Sequence, residues 1–171
     1  PTSAVEWIPP SKNDTSASDL QLLIGSNTGG QDKNYLKIID VHLATWDPKV
    51  KVTAASKQQH IEKARHSFGR QIEHPGDVHR ARCCPAKRNL VATRNDVGEC
   101  LLFDLSKSDE QNPLCGKMIG SHGEGFALQW SVKNPYYVAS GGGDKVVSIW
   151  DCNDNKISNE MQPLIQLKGH D

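Results

Sequence analysis

An all-β fold of about three four-stranded propeller blades is the class this sequence predicts, on three observations. The first is an internal repeat: His74, His122 and His170 are evenly spaced (122 − 74 = 170 − 122 = 48 residues), and a period of that size marks radial or stacked repeats. Read from His74, HPGDVHRARCCPAKRNLVATRNDVGECLLFDL aligns with HGEGFALQWSVKNPYYVASGGGDKVVSIWDC read from His122, and Phe103-Asp104 falls where Trp150-Asp151 falls. The second observation is that each unit breaks into short apolar runs bounded by turn residues. The third is that these units carry no helical periodicity.

Each element follows from local pattern. In the first and most divergent copy, AVEWIP is a first strand with Trp7 in register with Trp130, LQLLIGS a second, YLKIIDVHL a third with Ile39-Asp40 in place of Trp-Asp, and RQIEH the outermost. Residues 44–69, of mixed polarity and rich in Lys, Gln, Ala and His, read as a mobile surface insertion, with a short helix around Gln58 to Phe68 as the alternative. In the best-preserved copy, Phe126 to Ser131 is a strand, Asn134-Pro135 a turn, Tyr136 to Ser140 a second strand, Gly141 to Asp144 a turn, Val146 to Trp150 a third strand and Pro163 to Leu167 a fourth. The units are therefore 1–75, blade one with the insertion 44–69; 76–121, blade two; and 122–171, blade three and the start of the next repeat.

Composition narrows the function. Of 171 residues, Lys plus Arg and Asp plus Glu number 20 each, so the formal charge is zero and nothing global attracts nucleic acid or anionic lipid. The longest apolar runs stop far short of the roughly 18 residues that cross a bilayer. The N-terminus PTSAVEWIPP has no initiator Met and no leader pattern, and reads as cut from a longer chain. Five cysteines at 83, 84, 100, 115 and 152, one pair adjacent, suit reduced thiols better than a secreted disulfide framework. No CxxC occurs, so neither a structural metal nor any other cofactor is expected.

The alignment carries a resemblance. Gly169-His170 and Trp150-Asp151 match the Gly-His and Trp-Asp signatures of WD repeats, so the chain resembles a WD-repeat β-propeller. The resemblance implies that His122, Ser140, Asp144 and Trp150 form a network of turn imidazole, strand hydroxyl, turn carboxylate and indole N–H. In the preceding copy, with Phe103 for the tryptophan and Asp96 displaced by one residue, a weaker and partly apolar version is expected. The strings IEHPGDVHRARCCP, NLVATRNDVGECLLFDLSK and SHGEGFALQWSVKNPYYVASGGGDKVVSIWDC, with VEWIPP and LLIGSNTGGQDKNYLKIIDVHL, are very similar to the retinoblastoma-binding, histone-chaperone WD proteins. These are small histone-binding subunits shared by chromatin assembly, acetyltransferase, deacetylase, remodelling and Polycomb complexes.

That resemblance implies a seven-bladed ring, of which this chain holds about three blades with open flanks. It also implies a nuclear, non-enzymatic scaffold whose partners are histones and subunits of chromatin complexes, with no direct nucleic acid, membrane or small-molecule substrate. The core-histone helix groove uses elements outside these residues, so none is assigned to it. The channel end that receives basic histone tails maps by motif onto Asp77 and His79 in HPGDVH and Glu124 and Phe126 in HGEGF. The family's usual residues at positions 79 and 126 are Asn and Tyr, so an amide and a phenolic hydroxyl are replaced here. Independently of the name, acids recurring at one place in successive blades suit a Lys- or Arg-rich ligand, and Phe126 suits the stem of its side chains.

Plainer readings stand beside these. Asp77 and Glu124 read alone are turn acids, and the three histidines are structural because their spacing follows the blade. Gly141-Gly142-Gly143-Asp144-Lys145 lacks the GK[ST] ending of a phosphate loop and lies between strands, so it is a turn. Cys83 and His79 share one strand face roughly 13 Å apart at strand rise, too far for a nucleophile and its base. The alternative function is a different WD adaptor. A ubiquitin-ligase receptor is disfavoured because no Arg follows Trp150-Asp151 or Phe103-Asp104 at the expected place, and a ribosome-assembly factor because no acidic tract is present.

Overall fold

The computed structural model describes residues 2–10, 19–43, 53–55 and 64–169. Thirteen strands are described, and their residue ranges follow the repeat. Blade 1 is β1 (Thr2–Ile8), β2 (Asp19–Ser26), β3 (Asn34–His42) and β4 (Arg65–His74), each antiparallel to the next. Blade 2 is β5 (Val78–Cys83), β6 (Leu90–Asn95), β7 (Cys100–Asp104) and β8 (Leu114–Met118), with a 3-10 turn at Asp109–Gln111. Blade 3 is β9 (Ala127–Trp130), β10 (Tyr137–Gly141), β11 (Val146–Asp151) and β13 (Ile165–Lys168). The first strands lie side by side, β1 against β5 and β5 against β9, as the inner strands of neighbouring blades do.

One strand leaves its repeat. The link between β11 and β13 sends β12 (Glu160–Met161) back to blade 2, where it pairs in parallel with β8, Glu160 opposite Lys117 and Met161 opposite Met118. Lys117 N–H donates to the Asn159 carbonyl at 2.9 Å and Ile119 N–H to the Met161 carbonyl at 2.9 Å, so the outer edge of blade 2, which would otherwise offer bare backbone groups, is covered. Gly116 makes the approach possible, since a Cβ there would lie 3.0 Å from the Met161 sulfur and 3.0 Å from the Ser158 carbonyl.

Alternation along the strands puts one apolar face of each sheet against the next. Ala4, Ile8, Leu23, Leu36 and Ile72 of blade 1 meet Val78, Ala81, Cys83, Val91, Leu101 and Phe103 of blade 2. The opposite face of blade 2, with Cys84, Leu90, Ala92, Cys100, Leu102 and Met118, meets Leu128, Trp130, Val138, Trp150 and Cys152 of blade 3. Trp7 does hold the place of Trp130: it pairs with Leu22 and Leu22 with Ile39, as Trp130 pairs with Val138 and Val138 with Trp150. Yet Trp130 is 4% exposed and Trp7 53%. The face of blade 3 that carries Trp130 is covered by blade 2, whereas among the described residues nothing covers the matching face of blade 1.

The alternative of a helix around Gln58 to Phe68 is corrected where it can be seen. Residues 58–63 lie outside the described residues, but Arg65, His66, Ser67 and Phe68 are strand, paired with His42, Val41, Asp40 and Ile39. The outermost strand of blade 1 thus begins five residues before RQIEH. The register shifts between Ile38 and Ile39, which pair with Arg70 and Phe68, leaving Gly69 as the extra residue of a bulge.

Candidate functional site

The segments entering β5 and β9 lie at the same end of the fold, because β5 and β9 are the matching first strands of adjacent blades. They carry Asp77 and His79 on one side and Glu124 and Phe126 on the other. The two acids, equivalent by repeat, differ in circumstance. Asp77 is 7% exposed, and its carboxylate accepts from Thr28 N–H at 2.8 Å, Gly29 N–H at 3.1 Å and the Asn34 side-chain amide at 2.8 Å. Burial alone would raise its pKa, but those donors from blade 1 outweigh burial and hold the carboxyl below its ordinary value. Asp77 therefore closes the turn between β2 and β3. Glu124 is exposed, and its carboxylate has no partner among the described residues.

His79 and Phe126 are brought together. Their rings stack with centroids 4.6 Å apart and planes 15° from parallel. His79 is 7% exposed while Phe126 keeps 56% of its surface open, so the phenyl ring is backed on one side and free on the other. His79 Nδ1 is buried without a hydrogen-bond partner. Sequence reasoning missed the group that holds this pair to blade 2: Arg80 Nε donates to the Phe126 carbonyl at 2.9 Å. An Arg directly after His79 is the signal in the sequence that could have found it.

The network expected of His122, Ser140, Asp144 and Trp150 requires correction. His122 is exposed, and it is its backbone N–H that donates to the Asp144 carboxylate, at 2.9 Å. Ser140 Oγ donates to the Ala127 carbonyl at 2.8 Å and accepts from Arg94, while the Trp150 indole donates to the Ile119 carbonyl at 3.0 Å. The cause is Arg94, whose guanidinium crosses from β6 into blade 3 and takes the hydroxyl that the imidazole would have met. The imidazole–hydroxyl link sits instead in blade 2, the copy expected to be weaker, between His74 and Thr93 at 2.9 Å.

The thiols do not offer a nucleophile at this site. Burial, with the neighbouring Glu6 carboxylate, pushes Cys83 up to about 12, and burial raises Cys84, Cys115 and Cys152 as well. Among the described residues no group of three His, Cys, Asp or Glu side chains is placed to hold a metal ion, and no described helix is long and apolar enough to cross a membrane.

Residues 1–45 match the family model of the histone-binding protein RBBP4, a subunit of the CAF1 complex. The chain is 30% identical, over 99% of its own length and 45% of the relative's, to histone acetyltransferase type B subunit 2 of Mycosarcoma maydis. It is 28% identical, over 99% of its length and 45% of the relative's, to the probable histone-binding protein rba-1 of Caenorhabditis elegans. The chain thus spans less than half the length of these relatives. Among solved structures, a chain in "Structure of ctPRC2 in complex with H3K27me3 and H3K27M" superposes with a TM-score of 0.58 over 96% of this chain and 27% of that one, at 18% identity, a likeness of fold.

Proposed function

This chain belongs to the WD-repeat family of the histone-binding protein RBBP4, the small histone-binding subunit of the CAF1 complex, and on that premise we propose that it forms part of a nuclear, non-catalytic scaffold subunit of chromatin complexes that binds basic histone tails. The tail contact falls on the turn entering β9. Glu124 supplies an uncommitted carboxylate for a Lys or Arg head group, and the free face of Phe126 takes the apolar stem or the planar cation behind it. His79 backs Phe126, and Asp77 frames the site by closing the neighbouring turn. The observation that carries this reading is the contrast at Phe126: a large aromatic ring stacked on a buried imidazole, yet 56% exposed beside a free acid.

The test is fluorescence anisotropy of a labelled Arg/Lys-rich histone-tail peptide on the full-length protein, comparing wild type with Glu124→Gln and Phe126→Ala. Each change is expected to weaken binding by about tenfold, which is about 1.4 kcal/mol. Unaltered affinity in both variants returns these residues to plain turn positions and overturns the reading.

A further inference from the structure

We propose that Arg94 is the positioning residue of this site, fixing the backbone of the Gly123–Phe126 turn so that Glu124 and Phe126 are presented in one fixed relation; the proposal rests on the reading that this turn receives the tail.

Arg94 lies near the end of β6 in blade 2, yet its side chain serves blade 3. It is fully buried, at 0% exposure. Nη2 donates to the Gly123 carbonyl at 2.8 Å and Nε to the Gly125 carbonyl at 3.1 Å, the two peptide groups either side of Glu124. Nη1 reaches the hydroxyls of Ser121 and Ser140 and, at 3.4 Å, the Cys100 sulfur. No carboxylate pairs with it among the described residues. A guanidinium buried without a counter-ion loses its hydration, and an apolar side chain of similar volume would fill the space without that penalty. What the guanidinium does that an apolar group cannot is hold carbonyls.

The turn needs holding. Gly123 sits at φ 72°, in the region where glycine moves freely, and Gly125 follows two residues later. With Arg94 on Gly123 and Gly125, Gly143 N–H donating to the Glu124 carbonyl at 3.0 Å, and Arg80 on the Phe126 carbonyl, all four consecutive carbonyls are engaged from outside the turn. A backbone ordered before the ligand arrives loses less freedom on binding.

A second observation comes from Gly141-Gly142-Gly143-Asp144-Lys145, a turn with no part of its own in the tail contact. A Cβ on Gly142 would fall onto Arg94 Nη2, and one on Gly125 would lie 3.2 Å from Arg94 Nε and 2.8 Å from the Gly142 Cα. The glycines on both sides make room for the guanidinium, so the two turns and the arginine form one fitted unit. Lysine keeps the charge but offers one nitrogen in place of a planar fork, and cannot span the two carbonyls in the same way.

The experiment is a double-mutant cycle on the full-length protein with the labelled Arg/Lys-rich peptide: wild type, Arg94→Lys, Glu124→Gln and the double variant. Arg94→Lys is expected to weaken binding about tenfold in wild type and less than about threefold once Glu124 is neutralised, because the two changes act through the same turn. An equal loss in both backgrounds, or none in wild type, overturns the proposal. Gly142→Ala, which keeps the charge but removes the guanidinium's room, is the second variant, and full peptide affinity in it is equally fatal. Hydrogen exchange at the Gly143 amide separates the two readings. If wild type binds no peptide but Arg94→Lys speeds that exchange about tenfold, the tail reading fails and the positioning role stands. Unchanged exchange removes the positioning role.

Discussion

His74 and Thr93 meet at 2.9 Å across blade 2, and the bond fixes the tautomer of the ring. Nδ1 lies 3.0 Å from the Gly76 carbonyl, which can only accept, so Nδ1 carries the proton and Nε2 accepts from the Thr93 hydroxyl. The ring is 2% exposed and stacks on Phe103 with centroids 5.4 Å apart. Neutral imidazole is thus the form this site holds, and protonation would put a second N–H where an acceptor is needed.

A pH dependence follows. Burial lowers the His74 pKa below 6.5, against the Gly76 hydrogen bond and the charges of Asp96 and Glu99, which raise it. Between the lowered value and 6.5 the unfolded chain holds a proton that the folded chain refuses, so stability falls as pH falls through that window and levels off beneath it. Urea midpoints measured from about pH 7.5 to about pH 5.5 should drop in wild type more steeply than in His74→Gln. Parallel profiles would contradict the assignment.

Trp150 is fully buried and its indole N–H answers the Ile119 carbonyl. Trp150→Phe, which copies the residue blade 2 uses at this place, should fold but lose about 1–3 kcal/mol, the cost of an unmet buried carbonyl and a smaller ring. Equilibrium unfolding in urea reads it. A loss within about 0.5 kcal/mol, the range of ordinary surface changes, would mean the carbonyl finds another donor.

Asp77 and Glu124 should separate by assay. Asp77→Ala leaves the Thr28 and Gly29 N–H groups and the Asn34 amide without their acceptor and should lower stability by about 1–3 kcal/mol, with peptide affinity held within about twofold of wild type. Because the Asp77 pKa is depressed, its contribution is present above about pH 3.8, the unfolded value, and is lost as pH falls through the lower folded one. Thermal melts and anisotropy on the same samples check both halves. A large affinity loss with unchanged melting would make Asp77 a ligand contact instead.

Much of the fold is legible in the chain. The repeat and the short apolar runs place the strands of blade 3 to within a residue or two, as at Ala127–Trp130 and Val146–Asp151. The fourth strand of blade 1 reads short because the Gly69 bulge breaks the two-residue alternation, so that 65–69 no longer looks like strand. Motif matching puts the imidazole network in the wrong blade because it aligns residues within a repeat, whereas Arg94 reaches in from the repeat before. The two acids look alike in sequence for the same reason. What distinguishes them is the Thr28-Gly29 turn of blade 1, contributed from far away in sequence.

The edge strand gives one more outcome. Gly116→Ala should crowd Met161 and Ser158, loosening β12 from β8. Amide exchange at Lys117 and Ile119, whose N–H groups bond Asn159 and Met161, should quicken about tenfold. Exchange at Thr93, deep in β6, should stay slow; if it rises equally, the blade and not its edge has opened.

That borrowed edge strand bears on how such a protein can be taken apart and recombined. The sequence divides at each histidine as if blades were interchangeable cassettes, but a crossover just after Met118 would deliver blade 2 without Glu160 and Met161 and leave β8 bare along its outer side. Blades 2 and 3 are inherited as a pair, even though the letters of the chain repeat singly.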